Sequence, residues 1–249
     1  MITAVVGLPG VGKTQWIREQ IAQTPDKISR YFCPHAEVVP IDATYLQSEL
    51  PQLEIFQEGE VTPTTTFLEI PWYIDLATIE SFLAQIECDR VALLPINLTN
   101  CLEKKWADRV IVVESLSLTY GSQLMAQPPQ IHRVKLTGEV FDFDSLAVFW
   151  FELIQGAYGE IARSKGIFEI NSGESVYGDF VAGRINTEFM ALNLPPWSEG
   201  RPQRLSGLEV VGWNLDPSAI ATTLQDCGLS DAHLAYYQHQ MKEQESAIA

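Results

Sequence analysis

Residues 2–14, ITAVVGLPGVGKT, lead a run of β-forming residues directly into a glycine-rich turn. Residues 7–14 have the pattern GxxxxGK[ST] without a deviation. Glycines allow the backbone to wrap around a phosphate group with its N–H groups pointing inward, and a following helix adds its positive N-terminal end. The alternative is a chance match, but the position between a predicted strand and a predicted helix indicates a phosphate-binding loop. The predicted phosphate-binding residues are Gly7, Gly10, Val11, Gly12, Lys13 and Thr14.

Two side chains of this loop are expected to act on a bound nucleotide and its metal ion. Lys13 can reach the β- and γ-phosphates, and the Thr14 hydroxyl can bind Mg²⁺. Lys13 is therefore a predicted catalytic residue and Thr14 a predicted metal ligand. Hydrolysis needs, in addition, a carboxylate near the metal ion and a group that positions the attacking water.

The candidate carboxylates are those at strand ends, because ligands bind at the carboxyl ends of parallel strands. Glu69, in TFLEIPW, closes a predicted strand and is the second predicted catalytic residue; the alternative is a solvated strand end. Asp42, in VVPIDATYL, lies in an early connection where a switch segment could sit, and it is a second predicted metal ligand. Asp75 is instead predicted to cap the next helix.

Composition narrows the class of protein. The 249 residues include 32 acidic and 16 basic side chains, and a net charge of −16 argues against a nucleic-acid partner, which needs clustered positive charge. No apolar run approaches the ~20 residues of a membrane helix, and no basic segment precedes the first apolar run. Four widely spaced cysteines form no CxxC or CxC pair, which is typical of neither a disulfide framework nor a zinc site. We therefore expect a cytoplasmic protein without a membrane partner.

The first part of the chain alternates strands with helices and predicts an α/β fold. Strands such as VALLPI and RVIVV are apolar on both faces, which suits a mostly parallel sheet covered by helices. Strands are predicted at residues 2–7, 27–32, 66–70, 89–95 and 108–113, and helices at 13–23, 75–86 and 102–106. This P-loop nucleotide-binding domain is predicted to span residues 1–139.

After residue 140 the pattern becomes that of a smaller α+β domain, predicted to span residues 140–229. Its predicted helices lie at residues 142–161 and 215–229, and its strands at 166–171, 176–182, 187–193 and 207–213. A further short strand at 131–136 is assigned to the first domain. Residues 230–249 are predicted to be a polar tail that is helical at first and then frayed.

These motifs together resemble the CobW family of P-loop GTPases, relatives of the nickel metallochaperones that mature hydrogenase and urease. GLPGVGKT resembles the family's GFLGAGKT, and AEVVPIDATYL places Asp42 on a family aspartate. FLEIPWYID resembles the family's switch segment, with Glu69 and Asp75 on its acidic positions. In the second domain, RSKG at residues 163–166 resembles R-x-K-G, and GWNLDP stands in place of G-R-x-L-D. The resemblance implies a GTP- or ATP-binding protein of metallochaperone ancestry, with Mg²⁺ beside the nucleotide and a CobW C-terminal-like domain.

The chain departs from the family at three positions. The family's CxCC metal motif is replaced by LEIFQEGEVTP, which has no cysteine, so no zinc cofactor is expected; Cys33 and His35 alone make a poor site. The guanine-reading NKxD is replaced by VESL at residues 113–116, so base preference is open between GTP and ATP. Trp72 replaces a switch glycine, which predicts either weaker coupling between hydrolysis and movement or simple filling of core space.

Two functions follow from this pattern of kept and lost motifs. The first is nucleotide binding with slow, Mg²⁺-dependent hydrolysis. The second is a non-catalytic interaction protein that uses nucleotide as a structural ligand and binds a protein partner through its C-terminal domain. A small-molecule kinase is a weaker third interpretation, because such kinases carry an arginine-rich lid and the basic residues here do not cluster.

Overall fold

A computed structural model describes residues 1–34, 40–55, 65–96, 98, 101–113, 126–184 and 188–248. The chain divides into two units, Met1–Gln127 and Pro128–Ala249. No helix among the described residues combines the length and apolar character needed to cross a membrane.

The first unit is built on a six-stranded sheet in which every described pairing is parallel. Its strand order is β3-β2-β4-β1-β5-β6, so β1 lies between β4 and β5. The strands are β1 (Ile2–Val6), β2 (Ser29–Phe32), β3 (Glu54–Ile55), β4 (Thr65–Glu69), β5 (Cys88–Pro95) and β6 (Arg109–Val113). This arrangement confirms the predicted α/β class with a parallel sheet.

Apolar residues on β1, β4 and β5 form one core of this unit. Ala4, Leu68 and Ala92 pack there with Ile79 and Leu83 of a covering helix. The helices of the described part of the unit are α1 (Lys13–Ala22), α2 (Ile41–Glu49), α3 (Leu76–Leu83) and α4 (Leu102–Trp106). The central position of β1 brings its carboxyl end, and the glycine turn that follows, beside the ends of β4 and β5.

Helix α2, which the sequence analysis did not predict, lies in the early connection that contains Asp42. The helix begins directly after Pro40, and its buried residues are Ile41, Ala43, Tyr45, Leu46 and Ser48. Ile41, Tyr45 and Ser48 share one side of the helix, but Ala43 and Leu46 lie on the opposite side, so the sequence lacks the one-sided apolar stripe that indicates a surface helix. Asp42 therefore lies in the first turn of a helix.

The second unit is built on an antiparallel five-stranded sheet in the order β10-β9-β8-β11-β7. Its strands are β7 (Gln130–Lys135), β8 (Glu160–Glu169), β9 (Ser175–Val181), β10 (Met190–Ala191) and β11 (Gly207–Trp213). Its helices are α5 (Phe143–Ile154), α6 (Pro217–Asp226) and α7 (Asp231–Ile248). Phe168 lies at the centre of the core, with its ring 5.9 Å from that of Phe141 and 6.2 Å from that of Trp150.

The structure divides the chain after Gln127, earlier than the expected domain boundary at 139/140. Strand β7, which was assigned to the first domain, pairs with β11 from Gln130↔Gly212 to Lys135↔Gly207. Hydrogen bonding along this whole strand places it in the second sheet.

Two further elements differ from their predicted bounds. The helix predicted at 142–161 ends at Ile154, because Gly156 and Gly159 adopt φ values of 89° and 125° that no helix contains. Strand β8 then begins at Glu160, earlier than predicted. The strand predicted at 187–193 is reduced to β10, and residue 187 lies outside the described residues.

The predicted polar tail is helix α7, and it belongs to the second unit. Leu234 is 5% exposed and packs with Val140 and Leu229. Gln238 accepts a hydrogen bond from the Gly200 amide at 2.9 Å and donates one to the Gly200 carbonyl at 2.7 Å. These contacts fix the helix to the rest of the unit.

Candidate functional site

The glycine turn after β1 has the backbone conformation that the sequence pattern predicts. Gly7, Gly10 and Gly12 all have positive φ values, of 153°, 76° and 96°. A β-carbon at Gly7 would lie 2.5 Å from the Leu93 carbonyl oxygen on β5, so a side chain there is excluded by space as well as by conformation. The turn thus needs glycine at its first position for two separate reasons.

Lys13 is the first residue of α1, and its side chain turns back over the loop. Its Nζ donates a hydrogen bond to the Gly7 carbonyl oxygen at 3.0 Å, and the residue is only 7% exposed. Gly12 is the N-cap residue of α1 and has no side chain with which to cap the helix. The positive ammonium group and the amino end of the helix dipole therefore face the same loop.

Thr14 and Glu69 meet where β1 and β4 end. The Thr14 hydroxyl lies 3.2 Å from Oε1 and 3.0 Å from Oε2 of Glu69, to which it donates. Glu69 is the last residue of β4 and is 6% exposed. The alternative of a solvated strand end at Glu69 is therefore wrong: its carboxylate lies buried against the loop.

Tyr31 is a member of this cluster that the sequence analysis missed. Its hydroxyl donates to Oε2 of Glu69 at 3.0 Å, and the residue is fully buried. Burial raises the pKa of Tyr31 well above its ordinary value of 10.0, and the negative charges of Glu69, Cys33 and Asp42 raise the pKa further. Tyr31 gave no signal in the sequence because a tyrosine within a strand is typical of ordinary core packing.

Asp42 lies near enough to Tyr31 for its charge to raise the pKa of the phenol. It is half-buried in the first turn of α2. The hydrogen-bonded cluster joins residues from β2, β4 and α1, which are Tyr31, Glu69 and Thr14.

Two further predictions concern residues that follow β4, Asp75 and Trp72. Asp75 is the N-cap of α3 as predicted, and its carboxylate accepts a hydrogen bond from the Ala77 amide at 3.1 Å. Trp72 is half-buried and lies in a turn, with its ring 5.8 Å from that of Tyr73 in an edge-to-face contact. Trp72 is thus only partly buried, and both interpretations of this replacement of glycine stay predictions.

Three sequence features fall partly or wholly outside the described residues. The guanine-contact position follows Val113, and residues 114–116 are not described; neither is His35 or most of the segment at 53–63. Within the part of the chain that the structure describes, no three or more His, Cys, Asp or Glu side chains group in a way that could hold a metal ion.

The family-like motifs of the second unit have structural partners. Arg163 pairs with Asp179 at 3.1 Å, and Lys165 pairs with Glu209 at 3.4 Å, so both basic residues of RSKG join neighbouring strands. In GWNLDP, Asp216 caps α6 by accepting from the Ala219 amide at 2.9 Å, as the Asp-Pro helix start predicts. Both motifs stabilise the sheet and its helix.

The chain was compared with known proteins by sequence and by structure. No protein-family model matches it, and no curated protein matches it. Solved structures that are similar include the Zn(II)-bound YjiA GTPase from E. coli at 11% identity and a Zn(II)-bound triple mutant of YjiA GTPase at 13%. Each alignment covers 91% of this chain and 98% of the other, with a TM-score of 0.34. A likeness this distant carries no argument about function.

Proposed function

We propose that the first unit binds a nucleoside triphosphate at residues 7–14, together with Mg²⁺. One observation carries this proposal: Lys13 Nζ lies on the glycine loop, while the Thr14 hydroxyl lies 3.0 Å from the buried Glu69 carboxylate on the adjacent strand. A polyphosphate and its metal ion require a cation, the backbone amides of a glycine loop and oxygen ligands for the metal.

The oxygen donors of Thr14 and Glu69 suit Mg²⁺. Mg²⁺ prefers oxygen ligands, keeps several waters and uses one or two carboxylates beside the phosphates. A bound ion would neutralise charge on the phosphates, while Lys13 and the loop amides hold their oxygens. Asp42 is half-buried, its charge acts on Tyr31, and it is proposed as a more distant member of the metal shell.

We further propose slow hydrolysis of the bound nucleotide, with GTP and ATP as the candidate substrates. Glu69 is proposed to hold the metal shell and Lys13 to stabilise charge on the transferred phosphoryl group. The family resemblance of both halves of the chain supports a metallochaperone ancestry, and the missing CxCC argues against zinc as a resident cofactor.

A second candidate is an interaction protein that holds nucleotide without turnover and binds a protein partner through its second unit. The turn after β4 favours it, because Trp72 follows Pro71 and packs on Tyr73 where a glycine would leave the backbone free to move. Turnover of GTP or ATP above background that disappears in Lys13→Ala would exclude this candidate.

The proposal is tested by melting the protein with GTP, GDP, ATP and ADP, each with Mg²⁺ or with a chelator. A ligand that binds only the folded state stabilises it by about 2.7 kcal/mol at one hundred times its dissociation constant. We expect a melting temperature that rises with triphosphate concentration in the wild type and not in Lys13→Ala. Lys27→Ala is the matched control, because Lys27 is exposed beyond the end of α1. If no nucleotide stabilises the wild type, the proposal is wrong.

A further inference from the structure

We propose that Tyr31 is a positioning residue whose hydroxyl holds the Glu69 carboxylate toward Thr14, so that the two can receive Mg²⁺ together. The inference rests on the proposed nucleotide function and goes beyond it by assigning a role to a residue outside the motifs of the loop. The proposal predicts that Tyr31 determines the affinity for Mg²⁺, and that the affinity for the phosphates does not depend on Tyr31.

The geometry of the sheet explains why residue 31 reaches residue 69. Tyr31 on β2 pairs with Phe67 on β4, and Glu69 is two residues further along β4 on the same face. A diagonal neighbour of this kind is within reach of a long aromatic side chain. Trp16 of α1 packs edge-to-face on Phe67 at 6.3 Å, so this face of the sheet is the one that α1 covers.

The Glu69 carboxylate accepts hydrogen bonds from two side chains, Tyr31 and Thr14. Oε2 accepts from both Tyr31 and Thr14, each at 3.0 Å, while Oε1 lies 3.2 Å from the Thr14 hydroxyl. Tyr31 must donate its proton in this bond, because an ionised carboxylate only accepts.

The consequence for metal binding follows from the burial of both side chains. Glu69 is 6% exposed and Tyr31 is fully buried, so water does not readily replace the phenol as a donor. Without the phenol, the carboxylate loses a fixed partner and can turn away from Thr14. Outer-shell hydrogen bonds of this kind change metal affinity by about 10- to 100-fold when they are removed.

The test compares Tyr31→Phe with the wild type over a titration of Mg²⁺ at a fixed concentration of GTP or ATP, whichever stabilises the wild type more. The readout is the Mg²⁺ concentration that gives half of the metal-dependent rise in melting temperature. We expect this midpoint to increase about 10-fold or more in Tyr31→Phe. The stabilisation by the same nucleotide in chelator should match that of the wild type, because the glycine loop and Lys13 are intact.

Tyr45→Phe is the matched control. Tyr45 is another buried tyrosine of the first unit, and its hydroxyl accepts a hydrogen bond from Arg18 at 2.8 Å. Its removal should lower stability without moving the Mg²⁺ midpoint. In a Glu69→Gln background, Tyr31→Phe should add little to the midpoint, because the effect of Tyr31 passes through that carboxylate.

The possible outcomes separate the two proposals. If no nucleotide stabilises the wild type, both are overturned. If the wild type responds and Tyr31→Phe has the same Mg²⁺ midpoint, or loses nucleotide binding equally with and without the metal ion, only the role of Tyr31 is overturned. Should Tyr31→Phe melt too low for the scan, calorimetric titration of Mg²⁺ at low temperature in the presence of nucleotide makes the same comparison.

Discussion

Gly7 and Leu93 approach each other so closely that a β-carbon on the glycine would lie 2.5 Å from the leucine carbonyl oxygen. The contact joins the first residue of the loop to β5, the strand beside β1. The start of the phosphate-binding loop is therefore fixed by the sheet itself.

Gly7→Ala is expected to destabilise the first unit by about 3 kcal/mol or more, because the added methyl group meets backbone and the φ of 153° is strained for alanine. Gly138→Ala is the control, since Gly138 has a φ of 91° with no atom within 4 Å of a built β-carbon. It should cost only about 1–2 kcal/mol, the penalty of a positive φ alone. Urea denaturation measures both. Equal losses of unfolding free energy in Gly7→Ala and Gly138→Ala would show that the contact with Leu93 is unimportant.

Thr14→Val is expected to remove the Mg²⁺-dependent part of nucleotide stabilisation, because valine keeps the shape of threonine and lacks the hydroxyl that lies beside Glu69. Thr14→Ser keeps the hydroxyl and should retain that part. Thr14→Val should also lower the stability of the free protein by about 1–3 kcal/mol, as the buried carboxylate loses a donor. Melting with nucleotide, with and without Mg²⁺, distinguishes the variants; a Val variant that still responds to Mg²⁺ contradicts the role of Thr14.

The stability of the first unit should fall as the pH rises above 10. The pKa of Tyr31 is raised in the folded state, so the unfolded chain loses this proton first and gains stability relative to the folded protein. Tyr31→Phe should remove this part of the alkaline slope while being less stable than the wild type at pH 8. Exchange of amide hydrogens in β1 and β4 between pH 8 and pH 11 reports on this unit. Parallel profiles for the two proteins would rule the effect out.

Arg204→Met is expected to destabilise the second unit by about 3–5 kcal/mol, because the buried carboxylate of Glu169 loses the arginine with which it pairs. Arg204 donates to Glu169 at 2.9 Å, Ser175 donates at 2.6 Å, and Glu169 is 2% exposed. The control Arg109→Met breaks an exposed pair with Asp89 and should cost well under 1 kcal/mol.

The loss of stability in Arg204→Met should depend on pH, and the direction of that dependence follows from the pKa of Glu169. Burial raises the pKa of Glu169 above its ordinary value of 4.5 against the opposing effects of Ser175 and Arg204. Removing Arg204 raises that pKa further, so the deficit of Arg204→Met should shrink as the pH falls from 7 toward 5, and adding Glu169→Gln should recover part of it. A deficit that grows on acidification would contradict this account.

The sequence predicted those elements whose local pattern agrees with their place in the fold. The strand that includes VALLPI is apolar on both faces because β5 lies inside the sheet, and α4 has the bounds that were predicted, Leu102–Trp106. Helix α2 was missed because its buried residues are not confined to one side. The predicted α5 was too long because the apolar pattern continues past Ile154, whereas Gly156 and Gly159 have positive φ values that end the helix.

The candidate site was predictable only where a motif specifies residues close together in the chain. Lys13 and Thr14 follow from GxxxxGK[ST], and Glu69 follows from its position at the end of a strand beside the loop. Tyr31 was not predictable, because its role depends on the pairing of β2 with β4, and strand order is a long-range property that local patterning does not contain.

The position of β7 has a consequence for biosynthesis. Every described strand of the first sheet lies within the first 113 residues, so that sheet can form while the ribosome is still translating the rest. Strand β7 is the next described strand to emerge, but its only described ladder is with β11, which follows much later in the chain. The nascent chain therefore carries β7 without its native ladder until residues 207–213 have left the exit tunnel, and during that interval the strand is exposed to wrong pairing.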